Sequence, residues 1–130
     1  MILIEQFRAP VNKRVIEIPA GLAGDIAGSE DEGLEIAAQR ELMEETGYEA
    51  RKLTRLLDGA VSAGMTSEVV TLFLAEGLQK TGKGGGDGSE DIEVHEIPVG
   101  EVHHWITQRE KGGAIVDFKV YAGLFFLKQA

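Results

Sequence analysis

The chain has 130 residues, 43% of them hydrophobic and 27% charged, enough for one domain with its own core and no staples. Its 13 Lys+Arg against 22 Asp+Glu leave a net charge of −9, which argues against a nucleic-acid backbone as partner but not against a phosphate ligand escorted by a cation. The absence of cysteine excludes disulfides, a thiol nucleophile and Cys-ligated zinc; no stretch is long and apolar enough to span a membrane, and the MILIEQFRAP start has no signal-peptide layout, so the expected setting is cytoplasmic.

Residues 2–8 read as a strand, and the alternating, β-branched residues 14–18 as a second one that Pro19 ends. A loop rich in glycine and acid follows. Residues 32–46 (EGLEIAAQRELMEET) predict the best helix of the chain, stopped by Gly47. Residues 51–57 and 68–75 predict strands, the second apolar on both faces and hence expected to be central and covered on both sides. Residues 78–89 form a Gly-rich loop, whose glycine stretch 82–88 reads as a mobile loop over a site or a long hairpin connection. Residues 91–97 predict a strand ended by Pro98. Val102, Trp105, Ile106 and Arg109 mark a helix with a core-facing stripe, and Phe118, Tyr121, Ala122 and Phe125 repeat that spacing in a last helix with Asp117 near its start. Strands, helix, strands and two helices do not alternate regularly, so a mixed sheet with helices on both sides fits better than a doubly wound parallel sheet. One domain over residues 1–130 is expected, without repeat or linker.

The chemistry concentrates in residues 32–47. Glu41, Glu44 and Glu45 share one helix face at 100° per residue. Three like charges there repel one another, and Arg40 offsets only part of that. Hard oxygen donors at this density suit Mg²⁺ or Mn²⁺. Leu34 and Leu42 on one flank and Ile36 and Met43 on the other predict burial on both sides, which would leave the carboxylates in a strip that needs a partner. A solvated acidic face is the plainer alternative. GLQKTGKG (77–84) mimics a P-loop but ends in Gly84 and runs into more glycine, and 87–91 lacks the glycine of an EF-hand loop. His95, His103 and His104 have no metal-ligand spacing.

Glu32, seven residues, then Arg40-Glu41-Leu42-Met43-Glu44-Glu45-Thr46-Gly47-Tyr48 resemble the motif of the Nudix hydrolases, G-x5-E-x7-R-E-U-x-E-E-x-G-U, with U bulky and apolar. The glycine after Pro19-Ala20 is Gly21 and the motif's first glycine would fall at Ile26, so this loop is five residues longer than the pattern. The resemblance implies an α/β/α sandwich with a mixed sheet. It also implies hydrolysis of a nucleoside diphosphate linked to another moiety, with Mg²⁺ or Mn²⁺ and more than one ion when substrate is bound. By match, Glu41, Glu44, Glu45 and the backbone carbonyl of Ala20 would hold metal. Glu45 would also be catalytic, and Arg40 would orient the glutamates.

Outside the motif, Ile4-Glu5-Gln6-Phe7-Arg8, Glu17-Ile18-Pro19-Ala20-Gly21, Ser62-Ala63-Gly64-Met65-Thr66-Ser67-Glu68 and Glu90-Asp91-Ile92-Glu93-Val94 are similar to the ADP-ribose pyrophosphatase branch. That implies Glu90 as base or further ligand with Asp87 as its backup. It implies Arg8 at a phosphate or the nucleobase, Glu17 at the substrate and Glu68 near the second sugar or a bound water. The branch-marking proline is Ala63 here, and the N-terminal domain of many branch members is expected to be absent. A homodimer is expected. The alternatives within reach are a house-cleaning hydrolase of nucleoside triphosphates and a Nudix-like nucleotide-sugar sensor without turnover.

Overall fold

The computed structural model describes residues 1–128. Two antiparallel strands, β1 (Ile2–Arg8) and β2 (Lys13–Glu17), form the centre of a four-stranded sheet in the order β7-β1-β2-β8. Strand β7 (Glu93–Glu96) pairs antiparallel with β1, and β8 (Ile115–Val116) pairs parallel with β2, so the sheet is mixed as expected. Period-two alternation gives its faces different work. Leu3 and Ile16 face helices α2 (Val102–Lys111) and α3 (Phe118–Leu127), and with Ile97, Val102, Ile106, Val120 and Leu124 they make the main core. Ile4, Gln6, Val15 and Glu17 face the other way, towards α1 (Leu34–Thr46), and all four are buried.

Helix α1 begins at Leu34, two residues later than expected. Gly33 is its extended N-cap, and Glu32 turns back to bond Arg40. Gly47 ends it in the left-handed conformation (φ 75°), its N–H bonding the Met43 carbonyl at 2.8 Å. The short β3 (Tyr48–Glu49) pairs with β6 (Gln79–Lys80). Asp117 caps α3, its carboxylate accepting the Lys119 N–H at 2.8 Å.

Several elements differ from expectation. Strand β5 (Val69–Glu76) is not central: it pairs with β4 (Lys52–Ala60) in a two-stranded ribbon, Leu72 is buried and Val69 is 63% exposed. An unbroken apolar run does not distinguish a covered strand from a half-covered ribbon. Of the four flanking residues of α1, Leu42 is buried, whereas Leu34 and Ile36 are exposed; the buried stripe is Ala37, Leu42, Glu45 and Thr46. On α3 the phase is inverted, with Val120 and Leu124 inward and Phe118, Tyr121 and Phe125 exposed. This helix is apolar nearly all round, so spacing alone does not choose its inner face. Strand β7 starts at Glu93 rather than residue 91, and the exposed Asp91 pairs with Arg14 at 3.1 Å.

Candidate active site

Ala37 and Glu45 are eight residues apart on α1, so the helix repeat places Glu45 on the inward stripe. Its side chain is buried between α1 and the start of the loop after β2, where Oε2 accepts the Ala20 N–H at 2.9 Å. Burial pushes the carboxyl up to about 8 despite that bond, and the charges of Glu41, Glu90 and Glu17 push the same way. Glu41 is also raised, first by burial, with Glu44 and Asp25 adding to it and Arg40 opposing. Gly21 sits against Glu41, and a Cβ there would overlap the Glu41 carboxylate. A side chain at this position would have to displace that carboxylate.

Arg40 ties loop and helix together. Its Nε and Nη2 donate to the two Glu32 oxygens at 3.0 Å each, Nη1 to Glu41 at 2.8 Å and Glu44 at 3.2 Å, and Nη2 to the Leu22 carbonyl and Asp25 at 2.9 Å. These bonds raise its pKa, Glu32 first. Asp25 belongs to the lengthened loop and the sequence reading missed it; its only signal was an acid within reach of an arginine surrounded by acids.

The carboxylates of Glu41, Glu44 and Glu45 do not all come within 4.8 Å of one another among the described residues, because Arg40 draws Glu41 and Glu44 towards itself. The donor set nevertheless fits a divalent cation. It is made of hard oxygens, and it includes a buried acid whose pKa burial and like charge raise.

Arg8 and Glu17 lie on the same side of the sheet as Glu45. Arg8 Nε and Nη2 donate to the two Glu17 oxygens at 2.7 and 2.8 Å, and the guanidinium also feels Glu45 and Glu90. Gln6, on that face too, is buried, and its Nε2 has no hydrogen-bond partner among the described residues. Glu90 is exposed and accepts the Asp87 N–H at 3.1 Å. Asp87 is occupied in its own turn, accepting the Ser89 N–H at 2.7 Å and the Ser89 hydroxyl at 2.5 Å. Glu68 stands apart: its side chain is exposed, and its carbonyl accepts the Val61 N–H at 3.2 Å at the turn end of the β4–β5 ribbon.

The glycine loop is neither a free lid nor a plain hairpin connection. Thr81 and Gly82 N–H groups bond the Gly47 carbonyl at 2.9 and 3.0 Å, Gly85 bonds that of Glu45 at 2.8 Å and Gly86 that of Glu44 at 3.0 Å. The loop thereby satisfies the carbonyls left open at the end of α1.

A second polar cluster lies on the reverse face. Glu5, buried on β1, accepts from Arg109 and from His95 (3.1 Å), and Arg14 lies 3.4 Å away. Glu5, Glu93 and His95 offer atoms within 4.8 Å of one another, but Glu5 is already satisfied by its basic neighbours.

The NUDIX domain family matches residues 1–121. The chain belongs to this family. It is 38% identical over 111 residues to an ADP-ribose pyrophosphatase of Bacillus subtilis (strain 168), covering 85% of this chain and 57% of that protein. It is 32% identical over 129 residues to a methanol dehydrogenase activator of Bacillus methanolicus, covering 98% and 65%. It is also 32% identical over 138 residues to a GDP-mannose pyrophosphatase of Escherichia coli O1:K1 / APEC, covering 100% and 67%. The chain therefore spans about two thirds or less of the length of these curated relatives. A solved structure titled ADP compounds hydrolase aligns with a TM-score of 0.64 at 24% identity, over 79% of this chain and 54% of that one, which supports the Nudix fold. Nudix hydrolases generally use divalent cations, in keeping with the oxygen donors of α1. Among the described residues no helix is long and apolar enough to cross a membrane.

Proposed function

We propose that this Nudix domain hydrolyses the diphosphate bond of a nucleoside diphosphate linked to another moiety, ADP-ribose or another nucleotide sugar, giving a nucleoside monophosphate and a sugar phosphate. The observation that carries the reading is Glu45: a buried carboxyl among Glu41, Glu90 and Glu17, bonded by the Ala20 N–H, in an unbroken E-x7-R-E-L-M-E-E-T-G run from Glu32 to Gly47. The names of the pyrophosphatase relatives support the substrate class.

In this reading Glu41, Glu44, Glu45 and the Ala20 carbonyl hold Mg²⁺ or Mn²⁺, with more than one ion once substrate is bound. Such cations neutralise the diphosphate and acidify water. Arg40 keeps Glu41 and Glu44 in place. Arg8 binds a phosphate oxygen, with Glu17 beside it, and Glu68 serves the far sugar or a water. Glu90 takes a proton from the attacking water, Glu45 assists, and one phosphate leaves with the bridging oxygen. A cytoplasmic homodimer without a nucleic-acid partner completes the reading; it rests on the family resemblance and the acidic charge.

The test is a product screen with Mg²⁺ or Mn²⁺ across ADP-ribose, ADP-glucose, GDP-mannose, NADH, dinucleoside polyphosphates and nucleoside triphosphates. AMP plus ribose 5-phosphate as dominant products is the expected result. Pyrophosphate release from a triphosphate would move the substrate. No product from a folded, cation-binding protein would overturn hydrolysis in favour of a sensor.

A further inference from the structure

Arg8 and Glu17 do not face each other directly across the β1–β2 pair. Glu17 stands opposite Ile4, and Arg8 stands opposite Lys13. The two are four residues apart along the strands, about 13 Å at ~3.3 Å per residue. Both side chains therefore lie nearly extended, meeting over Gln6. Both Glu17 oxygens are used, at 2.7 and 2.8 Å, and its side chain is 9% exposed while that of Arg8 is 46% exposed. The fork occupies Nε and Nη2. Nη1 makes no hydrogen bond among the described residues, so the outer edge of the guanidinium is left to the site.

Glu17 is also not the only acid whose charge acts on Arg8, since Glu45 and Glu90 raise the pKa of the same guanidinium. We propose that Glu17 is a positioning residue: it clamps Arg8 in an extended pose that presents Nη1 to the diphosphate of the substrate. This rests on the hydrolase reading for the identity of the substrate, but the clamp itself is a property of the free chain.

Two measurements separate the clamp from the reaction. The first is NMR of the arginine Nε–H groups, with the Arg8 signal assigned by its loss in Arg8→Lys. A held guanidinium gives a slowly exchanging signal, and Glu17→Gln is expected to remove that protection. A signal unchanged in Glu17→Gln overturns the clamp, whether or not the chain turns over any substrate.

The second is kinetic. Glu17→Gln is expected to raise KM about tenfold, the scale of one charge-assisted contact, with kcat changed much less. Arg8→Lys should do the same, and the double variant should be no worse than Arg8→Lys alone. An unchanged KM in Glu17→Gln, or fully additive effects, overturns the proposal. If no substrate is turned over, calorimetric binding of inorganic pyrophosphate with Mg²⁺ takes the place of KM. Equal affinity in wild type and Glu17→Gln, or no binding to wild type, overturns it likewise.

Discussion

Glu5 and Glu45 are both buried acids, yet Glu5 receives Arg109, His95 and Arg14 while Glu45 receives one amide. For Glu5 burial raises the pKa, but the bonds from His95 and Arg109 outweigh it and the net shift is downward. A folded value below the unfolded one contributes stability above the ordinary glutamate range, and that stability is lost as pH falls through the folded value. Melting curves should therefore show an acid-side loss below about pH 4.5 that Glu5→Gln flattens. At neutral pH the same variant should cost about 1–2 kcal/mol, because it weakens the bonds to Arg109 and Arg14, which keep access to solvent. A Glu5→Gln curve parallel to wild type would refute this.

At this scale the glutamates of α1 were legible because their spacing is specific. The partners were not: that Arg40 holds Asp25, or that Gln6 is buried without a partner, depends on which way side chains turn after the fold closes.

Among the elements, α1 is stabilised at its end by a segment that composition marks as a flexible connection. Gly84 has φ +69°, and a Cβ there would stand 2.7 Å from the Thr46 carbonyl oxygen. Gly84→Ala combines backbone strain with a collision against main chain. It should lower stability by about 2 kcal/mol or more, read as a lower urea midpoint, whereas Gly88→Ala, which meets nothing, should change little. Equal midpoints for both variants would show that the loop is not bound to the helix.

The elements themselves were legible as local patterns, β2 from its β-branched alternation and α1 from its helix-forming residues and the Gly47 stop, although the inner face of α1 was not, since Leu34 and Ile36 are exposed. Periodicity failed for β5 and α3, whose apolar residues surround the element. There the choice of inner face belongs to the neighbours, and the large aromatics Phe118 and Phe125 lost it to Val120 and Leu124.

For the molecule as a whole, a net charge of −9 and a crowded acidic face mean that cation binding should be visible in global stability. A ligand at about a hundred times its dissociation constant adds about 2.7 kcal/mol to a state that binds it. Thermal melts should show such a gain with Mg²⁺, and Glu45→Gln should lose most of that gain and of any hydrolysis while remaining folded. An identical Mg²⁺ shift in the variant would remove Glu45 from the cation site. The mixed sheet with helices on both faces was legible from element order, because an irregular βα alternation excludes the parallel alternatives. The ribbon standing outside the sheet was not, since strand order carries no record of which edges pair.

The glycine loop has a practical corollary for anyone who wants to label or splice this protein. By composition 82–88 is where a fluorophore, an affinity tag or a guest domain would ordinarily be inserted. Here four main-chain amides of residues 81–86 grip the end of the helix that carries Glu44 and Glu45, so a graft at 82–86 would tug directly on the backbone of those two residues. The exposed tip of the β4–β5 ribbon at residues 63–67, where Met65 is 85% exposed, is the better place for a handle.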